Sequence, residues 1–242
     1  MGIPPLPSLG PNDGLLLVDK PTGPTSHDIV AKIRRHFQIK KVGHGGTLDP
    51  MATGLLVLLV GKGTKISERV MGHDKTYEGT LRLGIETDSQ DADGKPVAEA
   101  DPSAVTKEQI LEQMNQRIGD LMQTPPMVSA IKIKGVPLYK MARKGETIDR
   151  PPKLVHIYRF DLLEYTPPEA RFVVECTKGT YVRTLAHDIG QALGVGAHLS
   201  QLRRTKIGKL DVANASTLDE LLALSSLEGK VIPLAAALSL LA

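Results

Sequence analysis

A glycine-rich segment that ends in an aspartate is the part of the sequence best suited to chemistry. Residues 43–50 read GHGGTLDP, so Asp49 directly precedes Pro50. Glycines let a bulky ligand approach the backbone, and a proline holds the residue before it in an extended or turn conformation. An ionised carboxylate presented in this way could act as a nucleophile or a base. The competing interpretation is an Asp-Pro turn without catalytic function.

Tyr181 and Arg183 form a second polar pair, after a predicted strand at 171–177. In an extended backbone these two side chains point to the same side. A cation close to Asp49 would keep that carboxylate ionised at neutral pH. Taken singly, Tyr181 also fits a core ring with its hydroxyl at the surface, and Arg183 fits a solvated helix start.

The sequence carries no recognisable nucleotide or metal motif. Neither 43–46 nor 61–64 has the spacing of a phosphate-binding P-loop, and no dinucleotide fingerprint is present. The seven histidines show no metal-binding spacing, and the single cysteine, Cys176, excludes a multi-cysteine zinc site. The sequence therefore predicts no metal.

Composition predicts a folded protein. The chain has 242 residues, 41% of them hydrophobic, and a formal net charge of +3, which indicates one large domain or two small ones. Its longest apolar runs, 55–60 and 232–238, are far shorter than a membrane span, and no targeting segment is visible. The lone cysteine fits a reducing compartment, so we expect a cytoplasmic protein with no membrane association.

Charge is segregated along the chain. Seven basic residues against two acids lie between Lys132 and Lys153, in a stretch bracketed by paired prolines that we interpret as an insertion over 124–152. A second basic cluster lies at 32–41, whereas 86–101 is acidic. Such segregation suits a protein that meets a polyanion on one face, although ordinary solvated surfaces are also charged.

The pattern of elements indicates an α+β fold. Residues 1–13 are predicted to be a flexible proline-rich tail, and a capping box of Thr25 and Asp28 predicts a helix over 26–37. The apolar run 55–60 predicts a strand covered on both faces, and Thr106 with Gln109 caps a further helix. Strands at 154–160 and 171–177 and a helix over 182–193 follow without a βαβ rhythm, which favours a largely antiparallel sheet flanked by helices.

Together these segments resemble the family of tRNA pseudouridine synthases that modify uridine 55 in the T loop, bacterial relatives of the catalytic subunit of box H/ACA particles. The resemblance is carried by motifs at 19–28 (DKPTGPTSHD), 43–56 (GHGGTLDPMATGLL), 75–77 (KTY), 125–132 (PPMVSAIK), 138–143 (LYKMAR), 179–183 (GTYVR) and 202–204 (LRR). It covers about residues 14 to 210, and the motif around Asp49 is the most specific.

The resemblance implies the pseudouridine synthase fold with a basic, thumb-like insertion, and it implies a role for each motif. Asp49 is the essential aspartate, which either attacks C1′ of the ribose or removes a ribose proton to give a glycal. No cofactor is required. The remaining residues contact the nucleotide: Tyr77 stacks on the base, Tyr181 orients the nucleotide, Arg183 pairs with the catalytic carboxylate, Leu202 packs on the base, His44 fills the space of the flipped uridine and Lys20 supports the pocket.

The resemblance also implies the partner, which is the T arm of tRNA. The cations expected to contact its backbone are Arg34, Arg35, Lys140, Arg143, Arg203 and Arg204. Many members of the family continue into a PUA-type RNA-binding domain, whereas 14–242 reads as a catalytic domain with no separate domain of that type. We expect no obligate protein partner, and a monomer.

Two other functions compete with this one. A tRNA-binding or tRNA-folding protein could keep the scaffold without catalysis, but it would have no need for Asp49, Tyr77, Tyr181 and Arg183 together. A glycosidase with an aspartate nucleophile would need a second carboxylate as its acid, and the sequence offers no clear one.

Overall fold

The structure is a computed structural model and describes residues 13–127, 129, 132–133, 136–138, 141 and 148–242. The chain divides into two compact units, one of Met1–His73 with Arg203–Ala242 and one of Asp74–Leu202. Each contains β-strands with helices beside them, and most strand pairs are antiparallel, so the predicted α+β class is confirmed. The predicted tail, apart from residue 13, and much of the predicted insertion over 124–152 lie outside the described residues.

The first unit is built on a pair of buried antiparallel strands, β1 (Gly14–Lys20) and β3 (Thr53–Val60). Residues 55–60 are all buried, as the uninterrupted apolar run predicts for a strand covered on both faces. β3 also pairs with β2 (Val42–His44) and, in parallel, with the end of β12 (Ala197–Ile207). Further elements of this unit are β2 (Val42–His44), a 3₁₀ helix (Gly61–Ile66), α2 (Ser67–Gly72), β13 (Leu210–Asp211), a 3₁₀ helix (Val212–Asn214), β14 (Ser216–Thr217), α5 (Leu218–Leu222), β15 (Val231–Pro233) and α6 (Leu234–Leu240).

Helix α1 (Ser26–His36) begins where the capping box predicts. The Thr25 hydroxyl accepts the backbone N–H of Asp28, and the Asp28 carboxylate accepts the N–H of Thr25. Its buried face carries Ile29, Val30 and Ile33. The opposite face is polar, so the helix leaves a basic surface exposed.

The second unit contains four antiparallel strands that neighbour one another in the order β4 (Lys75–Leu83), β11 (Glu169–Cys176), β10 (Lys153–Thr166) and β7 (Gly119–Gln123). The predicted strands at 154–160 and 171–177 are therefore present, but β10 runs further than predicted. Its register shifts twice, between Ile157 and Arg159 and between Leu162 and Glu164. Such bulges break the two-residue alternation by which a strand is recognised in sequence.

Two helices of the second unit follow their sequence signals. The capping box of Thr106 and Gln109 starts α3 (Lys107–Asn115), and α4 (Val182–Ala192) is followed by Gly194 in the left-handed region, with φ 74°. The other elements of the second unit are β5 (Ile85–Thr87), β6 (Pro96–Glu99), β8 (Lys132–Ile133), β9 (Val136–Pro137) and the first part of β12 (Ala197–Ile207). Among the residues that the structure describes, no helix is long and apolar enough to cross a bilayer.

Candidate active site

Asp49 lies in a tight connection between β2 and β3 in the first unit. Its side chain is half-buried, and its carbonyl accepts the N–H of Ala52 at 3.1 Å in the turn that leads into β3. The carbonyl of Pro50 accepts the N–H of Gly23 at 2.9 Å. The backbone on the carboxyl side of Asp49 is thus fixed by hydrogen bonds.

Ser26 fixes the other side of the same connection. Its hydroxyl accepts the N–H of Leu48 at 2.8 Å and donates to the carbonyl of Leu48 at 3.0 Å. Ser26 is 2% exposed and is the first residue of α1. The start of α1 therefore sets the position of the residue immediately before Asp49.

Lys20 is a buried cation that holds the backbone after Asp49. The side chain has no exposed surface, and its ammonium donates to the carbonyls of Pro21 at 3.0 Å, Pro50 at 3.1 Å and Ala52 at 2.7 Å. An ammonium has three N–H groups to donate, which suits a side chain that binds several carbonyls at once. Lys20 therefore acts as an anchor for the residues that flank Asp49.

Arg204 differs from the sequence-based expectation of a phosphate contact. Its side chain is 1% exposed, and its Nε, Nη1 and Nη2 donate to the carbonyls of Leu55 at 2.8 Å, Thr47 at 3.2 Å and Gly46 at 3.1 Å. A guanidinium buried in this way is not accessible to a phosphate. It stabilises the glycine-rich segment before Asp49 instead.

Three of the other predicted cations are described, and they lie at or near the surface. Arg34 and Arg35 are exposed on α1 beside Lys32. Arg203 is 40% exposed and donates two hydrogen bonds to the carboxylate of Asp19, at 2.9 and 2.7 Å. Lys140 and Arg143 lie outside the described residues.

His44 is a half-buried imidazole at the end of β2. Burial lowers its pKa, and the nearby positive charges of His27 and Arg204 lower it further. Its Nδ1 is buried and has no hydrogen-bond partner among the described residues. The ring is therefore uncharged at neutral pH.

Arg183 is buried in the second unit and forms an ion pair that the sequence did not reveal. Its Nη1 lies 2.9 Å from Oδ2 of Asp91, and both side chains are 5% exposed. Oδ1 of Asp91 accepts hydrogen bonds from the Ser89 hydroxyl and from the N–H of Asp93 at 3.2 Å. Asp91 belongs to the acidic stretch 86–101, and no local pattern marks it as the partner of a residue so distant in sequence.

Tyr181 and Arg183 are close together, but not for the predicted reason. The backbone is helical from Val182, as the helix predicted over 182–193 requires, with Tyr181 as the N-cap, so the extended backbone considered for this pair is not present. The Arg183 Cζ nevertheless lies 6.0 Å from the centre of the Tyr181 ring. The backbone of Tyr181 is held by Gln123, whose amide donates to its carbonyl at 3.0 Å and accepts its N–H at 2.8 Å.

Two further predicted residues lie in the second unit. Tyr77 is 9% exposed on β4, opposite Val174 of β11, and Leu202 is half-buried on β12. The thiol of Cys176, at the end of β11, is another side chain that could act as a nucleophile. Burial, however, raises its pKa to about 12. The thiol stays protonated at neutral pH and is inert.

Comparison with protein families places the chain among the pseudouridine synthases. Residues 34–182 match the N-terminal domain of the TruB family pseudouridylate synthases, and residues 183–239 match the tRNA pseudouridylate synthase B C-terminal domain. The first match covers more than half of the chain. The chain therefore belongs to the TruB family of pseudouridylate synthases, and the family resemblance found in the sequence is confirmed.

Individual relatives agree with this assignment. The chain is 53% identical to tRNA pseudouridine synthase B of Opitutus terrae, over 91% of this chain and 92% of the relative. It is 48% identical to the protein of the same name from Syntrophotalea carbinolica, over 86% of this chain and 68% of the relative. Among solved structures, it is similar to a chain of a Cbf5-Nop10-Gar1 complex, with a TM-score of 0.70 and 32% identity. That similarity covers 88% of this chain but only 54% of the solved one.

Proposed function

We propose that this protein converts uridine 55 in the T loop of tRNA to pseudouridine. Its family membership and the relatives named tRNA pseudouridine synthase B support a tRNA substrate. The observation that carries the proposal is the fixation of Asp49. Its flanking residues are held by Ser26 on one side and by Lys20 on the other. Such rigid support is what a side chain needs when it must meet one atom of a substrate.

The reaction is an isomerisation that needs no net oxidant, reductant or cofactor. The bond from N1 of uracil to C1′ of ribose breaks, the base turns, C5 bonds to C1′, and the hydrogen on C5 is lost while N1 gains one. Asp49 starts this sequence, either by attack on C1′ or by removal of a ribose proton to give a glycal. Both routes begin with an ionised carboxylate.

The nucleotide is bound by the predicted side chains. Tyr77 stacks on the uracil ring, Leu202 packs on the same base, and Tyr181 orients the nucleotide. Arg183, held by Asp91, supplies the positive charge that keeps the catalytic carboxylate ionised.

Uridine 55 must leave its stack before Asp49 can reach it, at a cost of about a few kcal/mol. We propose that His44 fills the space that the base vacates. The lowered pKa of His44 supports this, because an uncharged ring can stack between bases without first losing the hydration shell of a charge.

The T arm is held mainly through its phosphates. Arg34 and Arg35 are exposed on α1, where they can bind phosphates of the tRNA backbone. Lys140 and Arg143 are proposed for the same role. Arg203 is already paired with Asp19 and contributes less. The protein acts as a monomer without an obligate protein partner.

Release of tritium from a tRNA transcript labelled at C5 of uridine tests the reaction. We expect one label released per tRNA with the wild-type protein and none with Asp49→Asn. A matched control is Asp101→Asn, an exposed carboxylate of the second unit, which should release the label as the wild type does. Salt-dependent tRNA binding without any release would contradict the proposal and leave a binding or folding role.

A further inference from the structure

The loop that carries Asp91 is joined to α4 by a second contact, directly beside the ion pair. The hydroxyl of Thr184 donates a hydrogen bond to Oε1 of Gln90 at 2.9 Å. Thr184 is 4% exposed and follows Arg183 in the first turn of α4, while Gln90 precedes Asp91. Two consecutive residues of the loop therefore hold two consecutive residues of the helix.

Gln90 adopts a backbone conformation that a glutamine rarely takes. Its φ is 66°, in the left-handed region where a side chain with a β-carbon is strained. Its N–H donates to the carbonyl of Thr87 at 3.1 Å, and its carbonyl accepts the N–H of Leu199 at 3.0 Å. Strained residues persist where their surroundings over-determine them, often at functional sites. The hydrogen bond from Thr184 is part of that constraint.

The strained turn decides where the Asp91 carboxylate points. One carboxylate oxygen is taken by the Ser89 hydroxyl and the Asp93 N–H, which leaves the other for Arg183. The Thr87 hydroxyl also donates to the backbone carbonyl of Asp91 at 2.7 Å. The carboxylate is thus rigid relative to its own loop, and its position against α4 depends on how the loop is docked.

We propose that Gln90 and Thr184 are positioning residues for Arg183. They fix the Asp91 loop against the first turn of α4, so that Asp91 holds the guanidinium in one orientation. The proposal rests on the proposed function, in which the charge of Arg183 supports the reaction. A small displacement of a catalytic charge slows a reaction strongly even when the substrate still binds. Neither residue touches the reacting atoms.

Thr184→Val tests the proposal, because valine keeps the shape of threonine but cannot donate the hydrogen bond. We expect the single-turnover rate constant for tritium release to fall about tenfold, the effect of losing one well-formed hydrogen bond, with the tRNA dissociation constant unchanged within about twofold. Thr184→Ser, which keeps the hydroxyl, should restore the rate. Thr80→Val removes a hydroxyl from a buried threonine of the same unit and should leave the rate unchanged.

Gln90→Ala should show the same loss, and the double variant with Thr184→Val should be no slower than either single variant. Gln90→Gly relieves the backbone strain but also removes the hydrogen bond to Thr184. Tritium release by this variant should therefore be as slow as in Gln90→Ala. Each variant is first checked for cooperative thermal unfolding with a midpoint well above the assay temperature. A wild-type rate in Thr184→Val, losses that multiply, or an effect confined to tRNA affinity would overturn the proposal. An inactive wild-type protein would instead overturn the proposed function, and this role with it.

Discussion

At the scale of single residues, the ion pair between Arg183 and Asp91 costs much desolvation free energy and is stable only while the two charged groups stay in contact. Both side chains are 5% exposed, so each has lost nearly all of its hydration. The loss is offset only while the partners stay together, and removal of one leaves an uncompensated buried charge. Asp91 is therefore as important to the position of Arg183 as the arginine is to the proposed reaction.

Asp91→Asn should lower both stability and rate. We expect the free energy of unfolding to fall by about 3 to 5 kcal/mol, the usual cost of breaking a buried ion pair. Tritium release should slow by about 100-fold, because the guanidinium loses its fixed position. Urea unfolding and single-turnover release measure the two effects. Asp93→Asn, at an exposed neighbour, is the control, and an equal effect of both substitutions would contradict this account.

His44 gives a prediction about pH. Its pKa is lowered in the folded protein below the usual value of about 6.5, chiefly by burial. Below pH 6.5 the unfolded chain takes up a proton that the folded protein resists, so stability is complete above that pH and falls as the pH drops. The free energy of unfolding between pH 5 and 8 should therefore decline on the acid side, and less steeply in His44→Gln. If the free energy of unfolding depends on pH equally in the wild type and in His44→Gln, the lowered pKa of His44 is refuted.

Residue types predict where the chemistry takes place, but they do not reveal which charged side chains are buried. The glycine-rich segment around Asp49 could be identified because its composition is unusual over a few consecutive residues. Lys20 and Arg204 could not be separated from surface cations, because their burial depends on carbonyls supplied by the folded loop. The same holds for Asp91, which lies 92 residues from Arg183 in the sequence.

At the scale of elements, the junction between the Asp49 connection and β3 depends on Gly54. Its φ is 96°, and a β-carbon there would lie 2.3 Å from the carbonyl oxygen of Arg204. At this point β3 and the backbone of Arg204 on β12 come so close together that only glycine fits.

Gly54→Ala should destabilise the protein by more than about 2 kcal/mol, because the backbone strain and the collision with a main-chain atom both oppose it. Gly72→Ala is the matched control, since a β-carbon there meets nothing within 4 Å. Its effect should stay within about 1 kcal/mol. Thermal unfolding compares the two variants, and equal midpoints would contradict the packing described for Gly54.

Elements with local signals were the ones that the sequence predicted well. The capping boxes at Thr25 and Thr106 place the starts of α1 and α3, because a cap is made by residues three positions apart. The start of α4 was also predicted, from the apolar spacing over 182–193, although Tyr181 offers that helix no side-chain cap. The bulges of β10, by contrast, concealed the true length of that strand.

At the scale of the whole molecule, the basic face of α1 should dominate the salt dependence of tRNA binding. Each phosphate contact releases counterions, so removing one reduces the slope of log affinity against log salt by about one. Arg34→Ala with Arg35→Ala should therefore weaken binding and flatten the slope by about one to two. Lys107→Ala, an exposed cation of the second unit, is the control. If log affinity falls with log salt at the same slope for the wild type and the double variant, α1 is excluded from the tRNA interface.

The α+β class and the family followed from motifs spread along most of the chain, and both are confirmed. The partner of the segregated charge did not follow from charge alone, because solvated surfaces show similar patterns. The phosphate-binding residues remain predictions. Those at 140 and 143 lie outside the described residues, and Arg204 shows that a cation in the right motif can serve the fold instead.

The position of the modified base tests the central claim most directly. A tRNA transcript treated with the protein is reacted with a carbodiimide that remains on pseudouridine, and reverse transcription then stops beside each modified base. We predict a single stop, at uridine 55, that is absent with Asp49→Asn and absent from a transcript carrying cytidine at that position. A stop elsewhere, or one that persists with Asp49→Asn, would contradict the account.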